Sequence, residues 1–121
     1  MTERRMIIEM GMGNDQYGRD YTKAAARAIE DAIRHSALPI FEATGLNHDQ
    51  MRVQVTIGVQ DPDAVDCAAL TQCLPRGRVT VRATHGGLNV ENPETGGCIV
   101  IATAAVEAFL PRQSDWRLRA T

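Results

Sequence analysis

The segment from Glu9 to Lys23, Glu-Met-Gly-Met-Gly-Asn-Asp-Gln-Tyr-Gly-Arg-Asp-Tyr-Thr-Lys, concentrates residue types that can hold a small anion. Gly11, Gly13 and Gly18 permit close backbone approach and left-handed backbone angles. A helix starting just beyond them would present unpaired amides with a partial positive charge. Arg19, Thr22 and Lys23 would add donors, and a carboxylate or phosphate is the natural guest. The spacing is not a dinucleotide fingerprint, whose third glycine would stand where the chain has Gln16, nor a Walker A loop, which needs Gly-Lys-Ser or Gly-Lys-Thr. A tight structural turn accounts for the same glycines without any ligand.

A second cluster is Thr84-His85-Gly86-Gly87. An imidazole at a strand end, next to glycine amides open to approach, suits general base work or oxyanion stabilisation. The competing reading is a turn that happens to contain a histidine. Glu9, Asp15 or Asp20 would supply a carboxylate to His85 if the first and third strands were neighbours. A Ser-His-Asp triad is disfavoured, because Ser36 and Ser114 fall at a helix end and in the tail. His35 and His48 read as solvent-exposed.

These clusters need elements to position them. Met6 to Met10 reads as a first strand, ended by Gly11 and Gly13 in a loop. From Tyr21 to about His35, Ala24, Ala25, Ala28, Ile29, Ala32 and Ile33 recur at helical spacing behind Asp20 as N-cap, with Pro39 beyond the end. A loop with Gly45, Asn47 and Asp49 follows. Met51 to Val59 alternates apolar and polar residues as a strand does. Asp61 and Pro62 open a second helix running to about Leu74 and closed by Pro75. Arg78 to Thr84 alternates again, and the glycines and proline from Gly86 to Gly96 make a loop or wide hairpin. The apolar run from Cys98 to about Val106 reads as a strand covered on both faces. The prediction is one α/β (α+β) domain over residues 1–111, ordered βαβαββ, with a single four-stranded sheet, two helices on one face and a polar tail at 112–121 that carries Trp116.

Composition narrows the function classes. With 121 residues, 44% of them hydrophobic, the chain fits one domain. A net charge of -2 and a pI near 5.9 argue against general nucleic-acid binding. No apolar window is long enough for a membrane span and no signal-peptide core follows Met1, so the expectation is a cytoplasmic protein. Cys67, Cys73 and Cys98 lack the spacing of a disulfide framework or zinc site and read as small buried hydrophobes; no metal and no cofactor is predicted. Twelve of the 13 basic residues are arginine, Lys23 being the single lysine. The second sheet face would carry Arg52, Gln54, Thr56, Arg78, Thr80, Arg82 and Thr84, either solvated or facing symmetry mates around a polar, anion-attracting space.

The run from Gly11-Met12-Gly13-Asn14-Asp15 through Gly18-Arg19-Asp20-Tyr21-Thr22-Lys23-Ala24-Ala25-Ala26-Arg27-Ala28-Ile29 resembles the signature of a family of small, functionally uncharacterised proteins of bacteria and plants, over almost the whole chain. More distantly and locally, the chain is similar to one repeat of the ring-opening amidohydrolases, the cyanuric acid hydrolase and barbiturase family, whose three fused repeats form a prism around a central site. In that likeness Gly13-Asn14 match a Gly-Asn pair, Asp20-Tyr21-Thr22-Lys23 match Asp-x-Thr-Arg with Lys23 for the substrate-binding arginine, and His85-Gly86-Gly87 match Ser-Gly-Gly. The family's catalytic lysine falls opposite Met10 and its nucleophilic serine opposite His85, so the Lys-Ser pair that opens the ring is missing.

The resemblance implies a homotrimer in place of three fused repeats, with an inter-subunit site for a small polar, cyclic-amide or anionic metabolite. Gly13, Asn14, Asp15, Arg19, Asp20, Thr22, Lys23, Gly86 and Gly87 are the candidate ligand-binding residues, and His85 with Glu9 the candidate catalytic pair. The alternative is a non-catalytic interaction or regulatory module that uses the polar sheet face and the tail around Trp116. A third reading is a phosphate or nucleotide binder using the helix N-terminus alone.

Overall fold

Alternation of small and branched apolar residues builds one mixed sheet with a helix packed on it. The structure, a computed structural model, describes residues 3–34, 50–74 and 77–111. Strand β1 is Glu3–Asp15, helix α1 Tyr21–Arg34, β2 Arg52–Val59, helix α2 Cys67–Leu70, β3 Arg78–His85, β4 Leu88–Glu91 and β5 Cys98–Pro111. The spatial order is β1-β5-β2-β3, with β4 also paired to β5. β5 runs antiparallel to β1 along its whole length, from Glu3↔Pro111 to Asp15↔Val100, and antiparallel to β2. β2 and β3 are parallel. β1, β2 and β3 therefore point the same way, and their carboxyl ends lie at one end of the sheet.

The helix-side face is the core. Ala24, Ala25, Ala28, Ile29 and Ala32 of α1 are fully buried against Val100, Ala102 and Ala104 of β5 and Val53, Val55 and Ile57 of β2. Small side chains let α1 lie close to the sheet, and over β1 even a methyl group is too large. A Cβ on Gly11 would sit 2.4 Å from the Ala32 amide nitrogen, and one on Gly13 would sit 2.4 Å from that of Ala28. Residues read as loop glycines are thus inside a strand, and β1 continues through them for 13 residues.

Three other expectations are corrected. Among the described residues the sheet has five strands, because β4 forms inside the stretch read as a loop; its four residues are all exposed, so no apolar periodicity marked it. The helix expected from Asp61 to Leu74 is broken into a 3-10 turn at Pro62–Ala64, α2, and a second 3-10 turn at Thr71–Cys73. Asp61 makes no side-chain cap; Val65 is extended, and Asp66 restarts the chain by accepting the Ala69 amide at 3.0 Å. β5 is not covered on both faces: its even-numbered residues are buried and Ile99, Thr103 and Glu107 stand on the open side. The expected endings at Pro39 and Pro75, the loop around Gly45, the histidines His35 and His48 and the tail with Trp116 lie outside the described residues.

The open face is divided. Its β2–β3 half is polar as predicted, with Gln54 accepting from the Thr80 hydroxyl and Thr56 from Arg82. At the far end Arg52 pairs with Glu3 at 2.6 Å and lies 4.2 Å over the Phe109 ring, while Arg5 pairs with Glu107 at 3.0 Å. Hydrogen bonding to Arg52 holds the Glu3 carboxyl below its ordinary range. Among the described residues no helix is long and apolar enough to cross a membrane.

The Gly11 and Gly13 contacts predict that Gly13→Ala lowers unfolding stability by about 3 kcal/mol, since the clash is with helix backbone that has no rotamer to yield. Urea denaturation followed by circular dichroism measures it, and a loss under about 0.5 kcal/mol would show that α1 shifts freely.

Candidate functional site

The turn from β1 into α1 is organised by one carboxylate. Asp15, the last residue of β1, is only 4% exposed, and its Oδ2 accepts the backbone amides of Gly18 at 3.0 Å and Asp20 at 2.9 Å. Asp20 then caps the helix, accepting the Lys23 amide on Oδ1 at 3.0 Å while its carbonyl takes the Ala24 amide. The N-cap predicted from sequence is therefore in place. Three amides around the turn, those of Gly18, Asp20 and Lys23, are thus taken by the chain's own carboxylates.

Two cations remain over this turn. Lys23 Nζ lies 3.8 Å and Arg27 Nη1 3.9 Å from Asp15 Oδ1, both from side chains about half exposed. Arg27 also donates to the Asn14 carbonyl at 2.6 Å. The two are four residues apart and so share one side of α1. The amides of Asp20 and Gly18, helped by Lys23 and Arg27, hold the Asp15 carboxyl below its usual value against the opposing effect of burial. These residues, with Asn14, Gln16, Tyr17, Gly18 and Asp20, line a cleft of about 580 Å³. A second cleft of about 420 Å³ shares Gln16 and Tyr17 with it and runs along the β4–β5 turn past Val90, Asn92, Thr95 and Ile99.

The remaining candidates divide. Gly13 faces α1 and does not line the cleft. Arg19 has a left-handed backbone, φ 49°, and its guanidinium reaches the Gly96 carbonyl at 3.5 Å, tying the turn to the β4–β5 connection. Thr22 accepts the Asp66 amide at 2.9 Å and is committed to packing. Gly86 and Gly87 form the crossover that carries the chain from β3 past the end of β2 into β4. Gly87 has φ 61°, and a Cβ there would meet the Ile101 carbonyl oxygen at 2.2 Å; Gln60 donates to both carbonyls of the crossover. The turn accounts for Gly87, whose left-handed backbone and close approach to Ile101 require glycine.

His85 is exposed at the carboxyl end of β3, the same end of the sheet as Asn14 and Asp15. Glu9 is not its neighbour. β1 and β3 are separated by β5 and β2, which puts the strands about 14 Å apart, and Glu9 lies further back along β1. Within one chain the Glu9–His85 pair does not form. Sequence reasoning missed Arg27, Gln16 and Tyr17; the spacing of Arg27 one turn after Lys23 was the available signal. Of the cysteines, Cys98 is buried and Cys67 and Cys73 are half-buried, with burial pushing the Cys73 thiol up. Among the described residues no group of three His, Cys, Asp or Glu gathers as a metal site.

A family model described as a conserved hypothetical protein, Lin0512_fam, matches residues 5–108. The chain belongs to the Lin0512 family. The matched span takes in most of β1, all of α1, the crossover and most of β5, and so the cleft of this Lin0512 protein falls within it. The crystal structure of an FtsZ-like protein of unknown function from Nostoc punctiforme PCC 73102 is similar, with 38% identity, a TM-score of 0.82, and coverage of 93% of this chain and 99% of that one. Comparison with curated proteins gives no match.

Because the folded Asp15 carboxyl is held low, its contribution to stability is full above the ordinary aspartate range and is lost as pH falls through about 4 and below. Asp15→Asn should lower the thermal midpoint at pH 7 and flatten the acid limb of the stability curve. Thermal melts from pH 2.5 to 7 check this, and an unchanged acid limb counts against Asp15 as the organiser of the turn.

Proposed function

We propose that this protein binds a small polar or anionic metabolite, of the cyclic-amide or carboxylate class, in the cleft over the β1–α1 turn. The observation that supports it is the pair Lys23 and Arg27. Their partner carboxylate is already saturated on one oxygen by backbone amides, and both cations stand almost 4 Å from the other oxygen, half in water. A charge-assisted hydrogen bond to a ligand would be shorter and stronger than either contact. Asn14, Gln16 and Tyr17 add neutral donors and an exposed ring at the mouth.

The likeness to ring-opening amidohydrolases enters this reading as a ligand class and an assembly of three copies, not as their reaction. Met10 and His85 stand where that chemistry has lysine and serine, and Met10 points to the open face. Acid–base work in one chain would fall to His85 without Glu9. Exposed apolar side chains on the open sheet face favour a second reading, a non-catalytic interaction module.

Thermal shift in the presence of millimolar cyanurate, barbiturate, small dicarboxylates and phosphate tests the proposal, since a ligand that binds only the folded state raises the midpoint. A cyclic amide or carboxylate should raise it, and Lys23→Ala and Arg27→Ala should each weaken that ligand about 10-fold or more. No shift with any of them, or a shift unaffected by both variants, overturns the site.

A further inference from the structure

We infer that copies of this chain meet through the apolar half of the open sheet face, so that the partner of this surface is a second copy of the chain itself. On β1, Gly11 and Gly13 face the helix, which turns Ile8, Met10 and Met12 to the opposite side. On the other side of β5, Leu88 pairs with Ile101 and Val90 with Ile99. Met12 stands opposite Thr103, one diagonal step from Ile101, and Met10 stands opposite Ala105, so the two groups join across β5. Met10 is 71%, Leu88 60% and Met12 57% exposed.

Together Ile8, Met10, Met12, Leu88, Val90 and Ile99 present roughly 600 Å² of apolar surface, the upper limit of what a lone soluble chain carries. Two copies would bury roughly 1,200 Å² between them, where specific stable interfaces begin. Among the described residues the lane holds the neutral Asn14 and Thr103, and at its Ile8 end it meets Glu107, which is paired with Arg5. The charges at the far end are paired within the chain, Glu3 with Arg52 and Arg5 with Glu107. On the polar half of the same face Arg82 donates to Thr56, beside the lane. A lane of Ile, Met, Leu and Val side chains with its charges at the border has the composition of the apolar centre of contacts between identical chains.

At the carboxyl end of β1 the geometry also disfavours edge-to-edge pairing. The outer edge of β1 is capped from α1 near its carboxyl end: the Met12 amide donates to Asp31 Oδ2 at 3.0 Å and Arg27 donates to the Asn14 carbonyl. Strand addition is blocked there. Copies pack by the face, sheet against sheet at about 10 Å.

The inference rests on the self-association in the proposed function and not on its ligand. Light scattering after size exclusion at tens of micromolar tests it. The wild-type chain should show a mass that is a multiple of 13.2 kDa. Met10→Glu combined with Leu88→Lys should bring it to a single chain, and Glu30→Lys on the exposed side of α1 should leave it unchanged. Circular dichroism confirms folding of each variant, and the milder pair Met12→Gln and Val90→Thr, read by the same mass and its concentration dependence, replaces the charged pair if that does not fold. A wild-type monomer, or variants that keep the wild-type mass, overturns the inference. Ligand-induced thermal shift measured on the same samples reports separately on the cleft.

Discussion

Helix α1 can lie on β1 only because two positions of the strand carry no side chain. With the helix backbone touching the strand at Gly11 and Gly13, α1 has one permitted height and one permitted rotation over the sheet. That placement brings Arg27 to the Asn14 carbonyl and Asp31 to the Met12 amide, and it sets Lys23 over Asp15. It also fixes which side of β1 is open: glycines inward require methionines outward. The cleft and the bare apolar lane are two results of the same contact.

The electrostatics of the turn follow a consistent logic. A helix start needs acceptors for its free amides, and Asp20 supplies one from the cap position while Asp15, at the strand end, holds the turn before it. Two side-chain cations, Lys23 and Arg27, stand over that turn. Lysine and arginine four residues apart at a helix start would repel one another and oppose the helix dipole. The buried Asp15 carboxylate between them offsets that repulsion and keeps both oriented to one side.

Much of this architecture could be read from the residues. The alternation of Val53, Val55, Ile57 and Val59, and of Val79, Val81 and Ala83, gave two strands and their polar outer faces, and Asp20 gave the start of α1. The errors have definite physical causes. A glycine that makes room for a packed helix looks, in one dimension, the same as a glycine that makes a turn, so β1 was cut at Met10. Asp61-Pro62 and Asp66 are both good helix starts, and only the Thr22 hydroxyl, 44 residues away, holds the Asp66 amide where the second one prevails. β4 owes its existence to pairing with β5, a long-range contact with no local signature. The apolar run after Cys98 suggested burial on both sides, whereas half of it forms an open surface. Of the site, the segment from Asn14 to Lys23 was legible, and the separation of Glu9 from His85 was not, because strand order is a property of the whole sheet.

β5 is the last strand in sequence and the central one in space, hydrogen-bonded to β1 along one edge and to β2 and β4 along the other. A ribosome making this chain releases α1 and the β2–β3 pair long before the strand that joins them to β1. Until residues 98–111 emerge, β1 has no partner and the alanine face of α1 has only half its floor. The nascent chain thus passes through a stage in which the apolar stretch of β1, Met-Ile-Ile-Glu-Met-Gly-Met, is unpaired. Closing the sheet then brings residues about a hundred positions apart into register, a slow kind of step. Synthesis of this small domain is therefore a race between completion of the central strand and association of incomplete chains.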